Sequence, residues 1–176
     1  LEPETIRQKI RETRKLTDKP IGVDLLLPVN LDINAEPTRT MLRQQIERDY
    51  PKHYALMREQ LAKYGVEEVL VQSETVVSVD QTRAQVNVVL EEDVQVFAAG
   101  LGDPSWVAPM AREKGMTVVG LVGSPRNAER QAAAGCDIVI AQGYEAGGHT
   151  GKIASFPLIP QVVDAVAPIP VVAAGG

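Results

Sequence analysis

The 176-residue sequence has a single cysteine, Cys136. No internal disulfide can form, which suits a reducing compartment, so a cytoplasmic location is expected. No apolar run approaches the roughly 18–20 residues needed to span a bilayer. The charged, helix-like N-terminal stretch LEPETIRQKIRETRK is not a secretory signal, and no membrane partner is expected. An excess of basic residues is also missing. There are 18 Lys and Arg against 23 Asp and Glu, a formal net charge of −5. A nucleic-acid partner would require a net basic face, so none is expected. Low-complexity tracts and Gly/Ser linkers are absent, which points to one domain or part of one. There is no Walker A motif, no G-x-S-x-G elbow and no C-x-x-C pair. The remaining composition, 44% hydrophobic and 23% charged, is that of an ordinary globular chain.

Periodicity organises this chain. Residues 4–17 read as a helix with Ile6, Ile10 and Leu16 roughly on one side. Its basic residues, Arg7, Lys9, Arg11, Arg14 and Lys15, alternate with acids and read as a solvated face. IGVDLLLP is a short strand. Residues 38–64 read as one long helix or two shorter ones, with Tyr50, Tyr54, Met57 and Leu61 at helical spacing and Gly65 as the stop. EEVLVQ and TVVSV, within 66–79, read as β-type runs, and 82–92 as a helix. From Val94 the pattern is regular. The strands VQVFAAG, TVVGLVG, DIVIAQG and PVVAAGG alternate with helices over 104–114, 125–134 and 157–166. Short strands apolar on both faces predict a parallel sheet covered by helices. The fold class is therefore α/β, as a (β/α)8 barrel or a doubly wound sheet. A whole barrel takes about 250 residues. Only five or six strands are read here, the chain opens inside a helix without Met, and it stops at a strand-terminal Gly-Gly. The expectation is a partial (β/α)8 TIM barrel truncated at both ends, with 1–176 an internal portion of one domain. A complete flavodoxin-like sheet is the rival.

In such folds ligands sit beyond the C-terminal ends of the strands. The residues there are small or polar: Gly100 and Gly102, Gly123 and Ser124, Gln142 and Gly143, Gly175 and Gly176. Glycine lets backbone N–H groups approach an anion, a phosphate above all. Each glycine alone could simply make a tight turn. The segment AQGYEAGGHTG, Ala141 to Gly151, carries more. It leaves a strand end with four glycines, Gln142, Glu145 and His149. A loop histidine can be a plain surface residue, or a base that titrates near neutrality. No metal site is read, because no second acidic ligand accompanies Glu145 and His149 and the other histidine, His53, lies on a distant helix. Glu145 is expected to hold the loop by accepting backbone N–H bonds. Gly100-Leu101-Gly102 begins like a dinucleotide fingerprint, but Ser105 stands where the third glycine belongs. Cys136 reads as inert packing.

QGYEAGGHTG, followed by a helix and PVVAAGG, resembles the nitronate monooxygenases, which are FMN-dependent TIM-barrel enzymes. The resemblance is specific over Ala141–Gly151 and Pro170–Gly176, good over Val94–Gly176 and moderate at PIGVDLLLP. It implies FMN-dependent oxidation of alkyl nitronates or nitroalkanes by oxygen, to a carbonyl compound and nitrite. His149 matches the family's catalytic base, and Gln142 a flavin contact. Gly147 and Gly148 match the loop that lets the cofactor approach, and Gly175 and Gly176 the turn whose amides bind the FMN phosphate. Asp24 matches a flavin-proximal position that commonly carries Asn, a departure, since a carboxylate accepts hydrogen bonds but does not donate them. Thr150 stands where many members have Arg. FMN-dependent enoyl-ACP and NAD(P)H:quinone reductases carry similar loops and are one alternative. A non-redox barrel for a phosphorylated metabolite is another, and a fragment inactive by itself a third. Oligomeric state is not indicated.

Overall fold

A computed structural model describes residues 1–28, 38–66 and 76–176. They fall into two compact units, Leu1–Leu31 with Asp80–Gly176, and Asp32–Val79. The larger unit holds a five-stranded sheet: β1 (Gly22–Leu27), β2 (Val96–Gly102), β3 (Thr117–Val122), β4 (Ile138–Gln142) and β5 (Val171–Ala174). Neighbouring strands are all parallel and lie in the order β1-β2-β3-β4-β5. That order decides between the two architectures. A doubly wound sheet reverses its strand order at a switch point, whereas a barrel adds each strand beside its predecessor. The sheet is of the barrel kind.

Sequential order also places the covering helices on one face. Leu25, Leu27, Phe97, Ala99, Val118, Val122, Val139 and Ala141 point to that face and are all buried. They pack with Val86 and Val89 of α4 (Val79–Glu91), Ala108 and Ala111 of α5 (Ala108–Glu113), Ala128 of α6 (Pro125–Ala133), and Leu158 and Val162 of α7 (Ser155–Val166). On the other face Leu26, Leu101 and Val172 remain 54, 43 and 49% exposed. The expected parallel sheet of a partial barrel, covered by helices, is what the described residues form. Both faces are apolar in sequence, and among the described residues of the larger unit helices cover one of them. In a closed barrel the opposite face is filled by side chains from strands across the ring.

Three helix ends share one device. Gly65, Gly115 and Gly135 have φ of 62, 71 and 101°. In each case the next residue's N–H returns to a carbonyl five positions back, as Val66 to Leu61, Met116 to Ala111 and Cys136 to Gln131. This is the glycine-terminated helix end expected from the sequence. In the smaller unit, α2 (Arg39–Asp49) and α3 (Pro51–Lys63) are separate helices broken at Tyr50-Pro51, and neither contains a buried residue. The Tyr50/Tyr54/Met57/Leu61 stripe is therefore not a core seam there. EEVLVQ lies outside the described residues. The described part of TVVSV forms no strand, and Val79 opens α4 instead.

The first helix, α1 (Pro3–Arg14), carries the basic residues that read as a solvated face. Lys9, Arg11 and Lys15 are exposed, as expected, while the partly buried Arg7 pairs with Glu91 and Glu92 at 2.8 and 2.7 Å, and Arg11 also pairs with Glu92 at 2.8 Å. Arg14 donates to the Lys19 carbonyl and to Gln95 Oε1. Apart from Lys19, these partners lie about 80 residues away in sequence, so no local charge pattern exposes them.

Candidate active site

Five parallel strands present their C-terminal ends on one side of the sheet. A cavity of about 1110 Å³ opens there, with Gly100 to Asp103, Gly123, Ser124, Gln142 and the His149–Ile153 segment in its wall. Its position agrees with the general rule for parallel α/β folds. His149 is exposed and stands in this wall rather than at the opposite end of the strands. Gln142, the last residue of β4, lies in the same wall.

The His149 loop is held at both ends. On leaving β4, the Gly143 N–H donates to the Ala174 carbonyl at 3.1 Å, and Tyr144–Ala146 form one 3-10 turn. Glu145 then folds back on the start of α7. Its two carboxylate oxygens accept the Ser155 N–H, each at 3.0 Å, and Oε1 accepts the Ser155 hydroxyl at 3.1 Å. These bonds, after the residue's own N–H, hold the Glu145 carboxyl below its ordinary value. A carboxylate at a helix start also faces the positive end of the helix dipole. Gly143 is required here, because the Glu145 carboxylate occupies the space a Cβ would need. The expected role of Glu145, accepting backbone N–H, is present in the geometry.

At the far end of the loop, Gly151 lies directly on Gly123 at the exit of β3. A Cβ on Gly151 would stand 2.8 Å from the Gly123 Cα, and one on Gly123 would stand 2.7 Å from the Gly151 Cα. Between these anchors, Gly147 and Gly148 have φ of 75 and 68° and no neighbour within 4 Å of a Cβ position. They form an open crest at which a flat ligand can meet bare backbone.

The remaining expected residues are dispersed around this centre. Gly175 (φ 84°) packs at the loop base, its Cβ position 2.8 Å from the Ala146 Cβ and 2.9 Å from the Gly143 carbonyl. Gly176 lies against the Ser155 hydroxyl, at 2.7 Å by the same measure. Asp24 is on the exposed face of β1. Its carboxylate oxygens both lie 2.7 Å from where a Gly100 Cβ would be. Gly100 is a bulge: Leu25 pairs with Ala99 and Leu26 with Leu101, so Gly100 is skipped. Burial pushes the Asp24 carboxyl above its ordinary value, and a hydrogen bond from the Gly100 N–H partly offsets this. The cavity wall thus includes His149 and Gln142 but not Asp24, Gly147, Gly148, Gly175 or Gly176, although Asp24 touches the wall residue Gly100.

Arg130, Gln131 and Lys152 also line the cavity and were not singled out by sequence reading. Arg130 and Gln131 sit on a helix that reads as ordinary in sequence, and Lys152 follows a glycine loop with no motif of its own. Only the proximity of α6 to the β2 exit identifies the first two.

The residues present suit a flavin mononucleotide. A glycine crest leaves room for a planar ring, the strand-end Gly175 and Gly176 carry no side chain to bar a phosphate from the backbone, and an imidazole and a carboxamide stand in the cavity wall.

The nitronate monooxygenase family model matches residues 1–176. The Mycobacterium tuberculosis protein named "Putative monooxygenase Rv1533" is 37% identical over 165 residues, covering 90% of this chain and 44% of that protein. The (3aS,4S,5R,7aS)-5-hydroxy-7a-methyl-1-oxo-octahydro-1H-indene-4-carboxyl-CoA dehydrogenase of the same organism is 40% identical over 94 residues, covering 52% of this chain and 26% of that enzyme. Among solved structures, the nitroalkane oxidase of Streptomyces ansochromogenes superposes with a TM-score of 0.70 at 28% identity, over 98% of this chain and 48% of that one. The chain spans less than half the length of each of these proteins. With the whole chain matched by the family model, and with its barrel-type sheet, this protein belongs to the nitronate monooxygenase family.

Proposed function

We propose that the full-length protein is an FMN-dependent oxidoreductase that oxidises nitroalkanes or their nitronates with oxygen. The observation that carries this reading is His149, held in the cavity wall at the C-terminal ends of the strands by a loop anchored on Gly123 and Ser155. Family membership supports the oxidoreductase class.

In this reading His149 takes the proton from the carbon that bears the nitro group, using the imidazole nitrogen that is free of a proton. Nitroalkanes are acidic enough at carbon for an imidazole to serve as base, and a positioned base typically contributes about 10²- to 10⁴-fold. Gln142 offers one acceptor and two donors at the same rim and orients the ring or the nitro group. Gly147 and Gly148 keep side chains away from the approach path. The amides of Gly175 and Gly176 would hold the FMN phosphate. Lys152 places a positive charge in the wall, which favours an anionic nitronate. FMN, when bound, supplies the electron transfer between nitronate and oxygen that no side chain here can perform.

The test is His149→Asn in the full-length enzyme. Turnover of neutral nitroalkanes falls by at least about 10²-fold, while preformed nitronates continue to react. Equal loss on both substrates removes the proton-abstraction role. A second reading, dehydrogenation or reduction of a CoA-linked substrate, is favoured by the similarity to the carboxyl-CoA dehydrogenase and by Arg130 and Lys152 in the cavity wall. Rapid bleaching of the flavin by NADH without oxygen, with no response to nitronate under air, selects the second reading.

A further inference from the structure

A polar brace runs through the otherwise apolar layer between α6 and the sheet. Gln131 is only 8% exposed. Its amide nitrogen donates to the Gly102 carbonyl at 2.9 Å, and its amide oxygen accepts the Cys136 thiol at 3.3 Å. Room for this amide exists because residue 120 is glycine. A Cβ on Gly120 would stand 2.6 Å from Gln131 Oε1 and 2.8 Å from Cys136 Sγ. Residues from β2, β3, α6 and the approach to β4 therefore meet at one side chain.

A buried amide costs free energy unless both of its ends are satisfied, and an apolar side chain would pack the same layer without that cost. The amide must therefore be judged by what it holds. Gly102 has φ of 105°, and the Leu27 carbonyl fills the place of its Cβ. It ends β2 two residues beyond the Gly100 bulge, at the last of the two pairs with β1 (Leu26 with Leu101, Leu27 with Gly102) that follow the interruption. Gly100 to Asp103 form the cavity wall, and Gln131 lines it too. A bulged, glycine-rich strand exit has little stiffness of its own. The donated hydrogen bond from α6 supplies a fixed point.

We propose that Gln131 is a positioning residue: through Gly102 it fixes the β2 exit as one wall of the ligand cavity. This role is independent of which ligand the cavity takes. Only the affinity measurement below rests on the flavin reading.

The test uses the full-length protein and two substitutions. Gln131→Met keeps length and apolar bulk but cannot donate. Gln131→Glu accepts from the thiol in either state, yet donates to Gly102 only when its carboxyl is protonated, which burial favours. The charged groups that act on the Cys136 thiol bonded to this amide are Asp137, Arg112 and Asp103. Hydrogen exchange is followed for the peptide over residues 100–105 and, as a control, for β4 and α7. FMN affinity is followed by fluorescence. In Gln131→Met, exchange over 100–105 rises roughly tenfold while the control segments stay near wild type, and FMN binds more weakly. Gln131→Glu behaves like Gln131→Met near pH 8 and returns toward wild type near about pH 5. Unchanged exchange over 100–105, or a uniform rise across the whole protein, overturns the proposal. If Gln131→Met fails to fold, Gln131→Glu decides: no pH-dependent recovery relative to wild type overturns it as well. Wild-type protein that binds no FMN removes the flavin reading and leaves the exchange result standing.

Discussion

Gly123 and Gly151 touch backbone to backbone, with no side chain between the exit of β3 and the end of the His149 loop. Neither position has room for a methyl group, since each Cβ would lie within 2.8 Å of the other residue's main chain. The contact fixes the far end of the loop that carries His149.

Gly151→Ala therefore displaces the loop. Overpacking of this kind costs about 1–3 kcal/mol. In the full-length protein the expected result is a lower Tm together with a larger loss of turnover than of stability. Gly115→Ala, outside the cavity wall, makes the control. There a methyl meets nothing within 4 Å, but the backbone (φ 71°) lies in the left-handed region that favours glycine. Its cost is backbone strain rather than displacement of Gly123. Equal effects of both substitutions on turnover per folded molecule would show that the Gly123 contact has no special role.

Glu145→Gln tests the other anchor. The folded chain favours the Glu145 carboxylate, because its own N–H and the Ser155 N–H and hydroxyl bind the charged form. The stabilisation is therefore fully present above the ordinary carboxylate range and is lost as pH falls through the lowered value. The substituted amide keeps one acceptor and loses the charge at the start of α7. The expected outcome is faster hydrogen exchange over residues 144–155 at neutral pH, with the difference from wild type closing at acid pH. A difference that persists unchanged in acid would mean the charge is irrelevant.

Asp24→Asn has the opposite sign. Burial raises the Asp24 carboxyl above its ordinary value, so the folded chain takes up this proton more readily than the unfolded chain. The ionised side chain is then a destabilising element at neutral pH, and its cost disappears below the ordinary carboxylate range. Asn keeps an oxygen to accept the Gly100 N–H. Chemical denaturation of the full-length protein should find Asp24→Asn more stable than wild type at neutral pH. The advantage should shrink as pH falls through the raised value and vanish below the ordinary range. An advantage independent of pH would exclude the charge as its cause.

Cys136 is 2% exposed, and its thiol is pushed up to about 11, first by burial and then by Asp137. Thiolate is the reactive form. The folded protein at pH near 8 should therefore resist a maleimide that labels it promptly in denaturant. Fast labelling of the native protein would show that the α6 layer opens.

Hydrophobic period and glycine punctuation were enough to locate the helices and strands from Val94 onward, because those are local properties of the chain. The pattern of an apolar run, a glycine end and a histidine on the following loop also identified the candidate loop before any coordinates. Where local signals conflict, the reading was less complete. TVVSV has β-type composition, yet Val79 begins a helix, since α4 buries Val86 and Val89 against the sheet. The basic residues of α1 carry no mark of their acidic partners some 80 positions away.

Composition and spacing by themselves determined an α/β chain of parallel-sheet type and the glycine-rich segment that carries His149. Tertiary structure decided the strand order, and with it the barrel-type sheet. It also decided that Gly123 meets Gly151, that Asp24 fills the space beside Gly100, and that Gln131 reaches Gly102. Those contacts join positions 28 to 76 residues apart. The reason is physical: steric exclusion and hydrogen bonding act over a few ångströms of space, whatever the length of chain between the atoms that meet.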